Sequence, residues 1–208
     1  MIVIVGSTKG GVGKTTLAFQ VAVARQIAGH PVLLVDADLL GSAQNAATMR
    51  AEGDHRPPLN FVHLPDGRVL RAQLLSLASR HTDTVVDAGG RDTQAFRVAL
   101  VKSDVLVLPV QPRAVDVCAL TGMAELIEEA QEAREIEGRS ELRIQITINL
   151  ADPGDNRDTV ETLQALRQFP KLAAPFVVIR RRKALANAMA HGLAIAELAP
   201  RDPRRLKR

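Results

Sequence analysis

The fold of this 208-residue chain is decided near its start, by the stretch Gly6-Ser7-Thr8-Lys9-Gly10-Gly11-Val12-Gly13-Lys14-Thr15-Thr16. An apolar run of strand length, residues 2–5, precedes it, and a segment with helical periodicity, residues 14–28, follows it. Glycines let the backbone wrap so that successive N–H groups point at phosphate oxygens, and the start of a helix adds partial positive charge. In this arrangement a lysine reaches the β- and γ-phosphates and a hydroxyl meets Mg²⁺, positions held here by Lys14 and Thr15. The stretch therefore predicts a phosphate-binding loop between a strand and a helix.

The rest of the chain alternates short apolar runs with segments of helical periodicity. The apolar runs lie at residues 2–5, 32–35, 61–64, 84–86, 105–110, 144–148 and 176–179. The helical segments lie at residues 14–28, 69–79, 93–102, 115–137 and 158–168. Most runs are apolar throughout, which predicts strands covered on both faces. The alternation predicts an α/β fold: a doubly wound, mostly parallel sheet with helices on both faces, in a single domain over residues 1–208.

The composition is typical of a globular protein and excludes two other classes. The chain is 46% hydrophobic and 24% charged. Its single cysteine, Cys118, cannot form an internal disulfide, and we expect it to be a buried small apolar residue on a helix. No apolar run approaches the roughly 18 residues of a membrane span, and the apolar start has no basic leader typical of a signal peptide. We therefore expect a cytoplasmic protein.

The net charge of +4 is unevenly distributed along the chain. Residues 180–208 hold nine basic and two acidic residues, whereas residues 1–179 hold 18 basic and 21 acidic residues. A basic end indicates either a polyanionic partner or a solvated tail. With five Phe and no Trp or Tyr, the chain has few rings on which single-stranded bases could stack, so duplex backbone is the favoured polyanion. The segment 125–141, dense in Glu and Arg, is predicted to be the solvated face of a long helix.

Acidic residues follow two of the predicted strands, at the edge where a doubly wound sheet binds its ligand. Asp36 and Asp38 alternate along an extended segment, so both side chains can face the site, one near a metal ion and one near an attacking water. A D-x-D pair at a strand end can also be a turn and helix cap. Asp87, followed by Gly89-Gly90, has the Walker-B arrangement, which accepts hydrogen bonds from water bound to Mg²⁺. The expected metal site therefore contains Thr15, Asp87 and one aspartate of the D-x-D pair.

Residues 9–16 match the signature x-K-G-G-x-G-K-[ST]-[ST] at every fixed position, while Thr8 stands where the usual phosphate loop has glycine. On these residues the chain resembles the deviant Walker-A P-loop ATPases, and among them the short ParA-type partition ATPases, which lack an N-terminal DNA-reading domain. The resemblance implies ATP and Mg²⁺ as cofactors and an ATP-dependent sandwich homodimer. It also implies that Lys9 reaches the phosphates of the partner subunit. Within the D-x-D pair it implies that Asp38 orients or activates water, which leaves Asp36 in the metal site with Thr15 and Asp87. Lys9, Lys14 and Asp38 are thus the expected catalytic residues.

The resemblance extends to later positions, with one departure. Relatives commonly continue the D-x-D pair with Pro-Gln-Gly, where this chain has Leu39-Leu40-Gly41. Arg113 and Asp116 lie in a stretch similar to the family's Pro-x-x-x-Asp and are expected at the dimer interface. Asn149 stands where relatives place an asparagine that faces adenine, although a strand-end cap is the alternative. The expected nucleotide-binding residues are Lys9, Gly10, Gly11, Val12, Gly13, Lys14, Thr15, Thr16 and Asn149.

The remaining candidate chemistry is sparse. The five histidines show no metal-ligand spacing, and we expect each at the surface or in packing. The C-terminal end is broken by Pro200 and Pro203 and has no apolar face, which disfavours a membrane anchor of the MinD kind.

The resemblance implies a cycle in which the ATP-bound dimer binds duplex DNA without sequence preference and associates with the nucleoid. Slow hydrolysis, stimulated by a partner of ParB type, would release it and drive partition of a plasmid, a chromosome or another cargo. The expected DNA contacts are Arg180, Arg181, Arg182, Lys183, Arg204, Arg205, Lys207 and Arg208. Some of residues 180–183 could instead face adenine or the dimer interface. The alternative function is a spatial regulator, similar to MinD or MipZ, that positions a division, flagellar or secretion machine through protein partners.

Overall fold

Seven strands and seven α-helices alternate along the part of the chain that the structure, a computed structural model, describes: residues 1–112, 117–154, 156–172 and 174–198. The strands are β1 Ile2–Val5, β2 Val32–Asp36, β3 Asn60–His63, β4 Asp83–Asp87, β5 Val105–Val110, β6 Arg143–Ala151 and β7 Phe176–Arg180. The helices are α1 Lys14–Ile27, α2 Ser42–Glu52, α3 Gly67–Ala78, α4 Gln94–Lys102, α5 Val117–Ile136, α6 Arg157–Leu166 and α7 Lys183–Met189. None of these helices is long and apolar enough to cross a membrane.

All seven strands form one parallel sheet in the order β3-β2-β4-β1-β5-β6-β7. The central strand β1 pairs with β4 on one side and with β5 on the other. After β1 the chain crosses to β2 on one side, and after β4 it crosses to β5 on the other side, so the direction of winding reverses between these two neighbours. The loops after β1 and β4 therefore lie at the carboxyl edge where such sheets bind ligands. The predicted doubly wound sheet is confirmed.

Two apolar clusters, one on each face of the sheet, form the core. Neighbouring residues of β1 point in opposite directions, so Ile4 packs into one cluster with Phe96 of α4, and Val5 packs into the other with Phe19 of α1. All residues of β1, β2 and β4 are buried. For these three strands, the prediction of helices covering both faces is confirmed.

The same prediction is wrong for β7. Phe176, Val177 and Val178 are 49%, 49% and 42% exposed. The sequence of β7 is as apolar as that of a central strand, but β7 lies at the edge of the sheet and has a neighbouring strand on one side only. Its position in the sheet, which the apolar pattern does not encode, decides its exposure.

Two helices, α2 and α7, were not expected from the sequence. The buried face of α2 consists of Ala43, Ala46, Ala47 and Arg50. Helix periodicity is recognised by large apolar residues at intervals of three and four, and α2 has almost none on that face. Its position is fixed by packing of small side chains against its neighbours, which local sequence does not show.

Arg134 of α5, expected on a solvated helix face, is buried instead. Its guanidinium donates hydrogen bonds to the carbonyl oxygens of Val101 at 2.7 Å, Ser103, and Ser140 at 2.9 Å. Carbonyl oxygens at the end of a helix lack hydrogen-bond donors within the helix. Arg134 provides these donors at the end of α4. The neighbouring acidic residues of α5 are exposed, as expected.

Candidate functional site

The phosphate-binding loop is the turn from β1 into α1. Gly13 precedes the helix with φ +87°, a left-handed conformation that glycine adopts without strain. It offers no side chain to cap the helix, so the first N–H groups of α1 have no side-chain acceptor at Gly13. A helix start of this kind is suited to binding an anion.

Lys14, the first residue of α1, lies at the centre of the site. Its side chain is buried, and its Nζ donates a hydrogen bond to the carbonyl oxygen of Lys9 at 2.7 Å. Burial lowers the pKa of the Lys14 ammonium, while the charges of Asp87 and Asp38 raise it. A Cβ atom at Gly90 would lie 3.0 Å from the Lys14 Nζ. Gly90 thus leaves room for the ammonium between the loop and the end of β4.

Asp87 is the last residue of β4 and is 1% exposed. Within the described residues, neither carboxylate oxygen has a hydrogen-bond partner of good geometry. Burial raises the pKa of Asp87 to about 8; the charges of Asp36 and Asp38 add to the rise, and Thr15 and Lys14 oppose it. A buried carboxyl without donors is destabilising unless a ligand completes its surroundings.

Asp36, the last residue of β2, holds the backbone of the segment that follows it. Its Oδ1 accepts a hydrogen bond from the Asp38 amide at 3.0 Å, and its Oδ2 accepts one from the Gln44 amide at 2.8 Å. Its role as a metal ligand stays a prediction. The observed contacts make Asp36 the anchor of residues 38–41, which we name the switch loop.

Asp38 begins the switch loop and faces the end of β4. A Cβ atom at Gly89 would lie 3.2 Å from the Asp38 Cγ. The Asp38 Oδ1 accepts a hydrogen bond from the Leu40 amide at 3.2 Å. Together with Lys14 and Asp87, Asp38 therefore belongs to one cluster of charged groups at the carboxyl edge of the sheet.

These elements enclose a cleft of about 870 Å³. This volume lies within the range of small-molecule sites, roughly 300–1,000 Å³. The phosphate-binding loop, the switch loop, the start of α3 and the turn after β4 line it. The lining residues that were expected from the sequence are Gly10, Gly11, Gly13, Lys14, Thr15, Thr16 and Asp38. Lys9 and Val12 line a separate small cavity beside Met123.

Asn149 braces the phosphate-binding loop from β6. Its amide Nδ2 donates a hydrogen bond to the Val12 carbonyl at 2.8 Å, and the side chain is buried. A β-bulge lies beside it at Leu150, whose φ is +61°, and bulges re-aim neighbouring side chains. A Cβ atom at Gly13 would lie 2.4 Å from the Asn149 Nδ2. Contact with adenine stays a prediction; the observed contact is with the loop.

His63 makes a contact at this edge that was not expected from the sequence. It was expected at the surface or in packing, yet its Nε2 lies 2.7 Å from the Asp38 carbonyl oxygen. The signal was its position, since it ends β3 at the same carboxyl edge as Asp36 and Asp87. Arg91, which follows the two glycines after β4 and lines the cleft, was missed for the same reason.

The basic residues at the end of β7 are exposed, and their contact with DNA stays a prediction. Arg180 uses part of its guanidinium internally, donating to the carbonyl oxygens of Asp152 at 3.1 Å and Pro153 at 2.5 Å. Because β7 is three strands from β1 in a parallel sheet, this cluster lies about 14 Å along the same edge from the phosphate-binding loop. Several expected residues lie outside the described part of the chain: Arg113, Asp116, Arg204, Arg205, Lys207, Arg208 and the side chain of Cys118.

The chain is similar in sequence to known proteins. A sequence model of the CobQ/CobB/MinD/ParA nucleotide binding domain matches residues 3–195. The chain is 32% identical over 206 residues to the maintenance of carboxysome distribution protein A of Gloeobacter kilaueensis, covering 98% of this chain and 87% of that protein. It is 30% identical over 230 residues to the chromosome-partitioning ATPase Soj of Thermus thermophilus, covering 94% and 87%.

Solved structures share the fold. A variant McdA from Cyanothece in complex with ATP superposes with a TM-score of 0.75 at 14% identity, covering 95% of this chain and 90% of that one. At this identity the likeness concerns the fold alone, and the sequence match carries the assignment. The chain belongs to the CobQ/CobB/MinD/ParA nucleotide-binding domain family.

Proposed function

We propose that this protein is an ATPase that binds ATP with Mg²⁺, dimerises in the ATP-bound form and hydrolyses ATP slowly. One observation carries the proposal: Lys14 and Asp38 line the cleft formed around the phosphate-binding loop, and the buried carboxyl of Asp87 lies close enough to interact electrostatically with both. A cation buried at a helix start suits a triphosphate, and a carboxylate beside it suits the orientation of an attacking water. In this proposal Lys14 binds the phosphates and Asp38 positions the water.

The residues present fit Mg²⁺. Both oxygens of Asp87 lack hydrogen-bond partners among the described residues, and carboxylate oxygens are ligands that Mg²⁺ prefers. No group of three or more His, Cys, Asp or Glu side chains in that part of the chain could hold a metal by itself. Mg²⁺ would therefore bind together with the phosphates, held by Asp87 and the Thr15 hydroxyl, with Asp36 as the third expected residue. When bound, Mg²⁺ neutralises charge that develops on the phosphates.

The proposed dimer gives Lys9 its role. The carbonyl oxygen of Lys9 accepts a hydrogen bond from the Lys14 ammonium, and Lys9 also lines the small cavity beside Met123. A single triphosphate that is already held by backbone amides and by Lys14 does not need a second lysine from the same short loop. In the proposal, Lys9 acts on the phosphates of the partner subunit, so that dimerisation depends on ATP.

We further propose that the ATP-bound dimer binds duplex DNA without sequence preference and distributes a cargo along it. Support comes from the exposed cluster Arg180–Lys183 and from the relatives, one named for carboxysome distribution and one for chromosome partitioning. In this reading a partner of ParB type stimulates hydrolysis, and the ATP-bound protein associates with the nucleoid. The expected DNA contacts of residues 204–208 belong to the same proposal.

The second candidate is a spatial regulator that acts through protein partners, with DNA incidental. The engagement of Arg180 with two carbonyl oxygens favours it, because that side chain already serves the fold. The two candidates differ in one measurement. A mobility shift of unrelated duplex DNA that requires ATP and weakens with salt supports partition, and no shift at low salt supports the regulator.

Substitutions in the site test the ATPase itself. Lys14→Ala should abolish ATP binding, because the buried ammonium is the cation nearest the predicted phosphates. Asp38→Ala should bind ATP, lower hydrolysis by about 100-fold or more and accumulate as a dimer. Lys171→Ala, which removes an exposed lysine from a short helical turn, is the matched control. ATP affinity, turnover and molar mass by light scattering give the answer, and wild-type turnover in Asp38→Ala would show that another carboxylate positions the water.

A further inference from the structure

We propose that His63 is a positioning residue for Asp38 and sets the geometry of the switch loop for hydrolysis. The inference rests on the proposed ATPase function, in which Asp38 positions the attacking water. His63 itself does not line the cleft. Its action is on the backbone of Asp38.

The sheet places His63 beside the switch loop. His63 pairs in register with Asp36 across the β2–β3 ladder, and the pairing continues in the hydrogen bond from the Leu64 amide to the Asp36 carbonyl at 2.8 Å. From this position the imidazole reaches forward, and its Nε2 lies 2.7 Å from the Asp38 carbonyl oxygen. A carbonyl oxygen can only accept, so Nε2 carries a proton and donates.

Asp38 is thereby held at three points. Its amide donates to Asp36, its carbonyl accepts from His63 and from the Gly41 amide at 3.2 Å, and its side chain accepts from the Leu40 amide. Two of these contacts lie within the switch loop and move with it. His63 and Asp36 are the contacts that tie Asp38 to the sheet.

Burial of side chains does not hold this loop. Leu39 and Leu40 are 78% and 79% exposed. Proline would fix φ without any contact, but residues 38–41 contain none. This chain lacks that restraint, so the conformation of its switch loop depends on the contacts made by Asp36 and His63. The Asp36 side chain holds the amide of Asp38, at the start of the switch loop, and the amide of Gln44, in the first turn of α2. His63 holds the carbonyl of Asp38.

The test compares His63→Leu, which removes the donor, with His63→Gln, whose Nε2 reaches about as far as that of histidine. The structure predicts that His63→Leu lowers kcat for ATP hydrolysis by about 10- to 100-fold. The dissociation constant of a fluorescent ATP analogue should change by less than about threefold, because Lys14 and the phosphate-binding loop are untouched. His63→Gln should restore most of kcat.

Hydrogen exchange of the nucleotide-free protein gives a second readout. The amides of Leu40, Gly41 and Gln44 should exchange faster in His63→Leu than in the wild type, and near the wild-type rate in His63→Gln. The matched control is His30→Leu. His30 lies just before β2, at the end of the sheet where the strands begin, so its replacement should change neither kcat nor this exchange.

Wild-type kcat in His63→Leu would overturn the inference. So would an equal loss of kcat in both variants with unchanged exchange, because a merely structural role of the ring predicts that pattern. If the wild type hydrolyses no ATP, the proposed function fails instead, and the exchange comparison still decides whether His63 holds the switch loop. Should His63→Leu not fold, His63→Gln and its exchange pattern decide the question, since loss of protection there would contradict the donor role.

Discussion

At the scale of single residues, two buried groups of opposite charge, Lys14 and Asp87, lie beside each other under the cleft. Burial lowers the pKa of the Lys14 ammonium and raises the pKa of the Asp87 carboxyl to about 8. Each group is therefore disfavoured in the charge state that it has in water. A triphosphate and Mg²⁺ would supply the missing partners, so ligand binding should stabilise the fold strongly.

In the nucleotide-free protein, we expect Asp87→Asn to raise the free energy of unfolding at neutral pH and to flatten its pH dependence. The pKa of Asp87 is about 8 in the folded chain, against an ordinary value of 3.8, so unfolding releases a proton between these values. The contribution of Asp87 to stability is therefore greatest below about pH 4 and falls toward pH 8, by at most about 1.4 kcal/mol per pH unit. Urea unfolding of the wild type and of Asp87→Asn from about pH 5 to 8, without Mg²⁺, measures how the free energy of unfolding of each protein changes with pH.

The control for this experiment is Glu52→Gln, which neutralises an exposed carboxylate at the end of α2. It should keep the wild-type slope. In addition, Mg²⁺ with ATP should stabilise the wild type more than Asp87→Asn. Equal slopes in the wild type and in Asp87→Asn would contradict the assignment.

The residues that the sequence predicted and those it missed differ in a physical way. Lys14, Asp38 and Asp87 were predictable because a parallel sheet brings the ends of its strands to one edge, and spacing along the chain is then sufficient. The contact of His63 depends on the register between β2 and β3, and that of Asn149 depends on the bulge after it. Register and bulges follow from tertiary pairing, so the sequence did not reveal these two contacts.

At the scale of elements, Arg50 of α2 joins this helix to the segment that follows α7. Its guanidinium is 1% exposed and donates to both carboxylate oxygens of Glu197, at 2.9 and 3.0 Å, and to the Pro57 carbonyl at 2.8 Å. Gln20 of α1 adds a hydrogen bond from the Ile195 amide to its Oε1 at 2.6 Å. Segment 192–197 is thus fastened to the same helices that flank the phosphate-binding loop and the switch loop.

We expect Glu197→Ala to lower the free energy of unfolding by about 3–5 kcal/mol, because the Arg50 guanidinium then stays buried without its carboxylate. Replacing both partners, Arg50→Met with Glu197→Met, should be less destabilising than Glu197→Ala, since no unpaired charge remains. Urea titration measures both. Glu128→Ala, on the exposed face of α5, is the control and should change stability by less than about 0.5 kcal/mol. Wild-type stability in Glu197→Ala would show that the pair is not coupled to folding.

Strands were predicted better than helices at this scale, and the reason lies in packing. Buried parallel strands are apolar along their whole length and stand out between polar segments. Helix α2 buries alanines, whose contribution depends on the neighbour they meet. The exposure of β7 was missed because local sequence carries no information on strand order.

At the scale of the whole molecule, charge is divided between a slightly acidic body and a basic end. Residues 180–208 hold nine basic residues against two acidic ones. The described members of this group, Arg180–Lys183, lie at the same sheet edge as the nucleotide cleft. In the proposed ATP-bound dimer, each subunit would contribute one such basic surface, so the number of DNA contacts would double.

The salt dependence of DNA binding should report this doubling. If each subunit neutralises about four phosphates, the slope of log affinity against log salt should be about −3.5 without ATP and about −7 with ATP. Arg181→Ala with Lys183→Ala should make the ATP-bound slope shallower by about 3 to 4. Fluorescence anisotropy of a labelled duplex over a salt series measures it. Arg167→Ala with Lys171→Ala, both exposed near the end of α6, is the matched control. A slope that stays the same with and without ATP would contradict dimerisation as the source of affinity.

The central place of β1 also governs the order in which the chain can fold during synthesis. Residues 2–5 leave the ribosome well before their neighbours in the sheet, residues 84–87 of β4 and residues 105–107 of β5. Closing a loop of this length is slow, because the chain loses conformational entropy before the strand pairing can stabilise it. In the nascent chain, β1 therefore stays apolar and unpaired until β4 has been made.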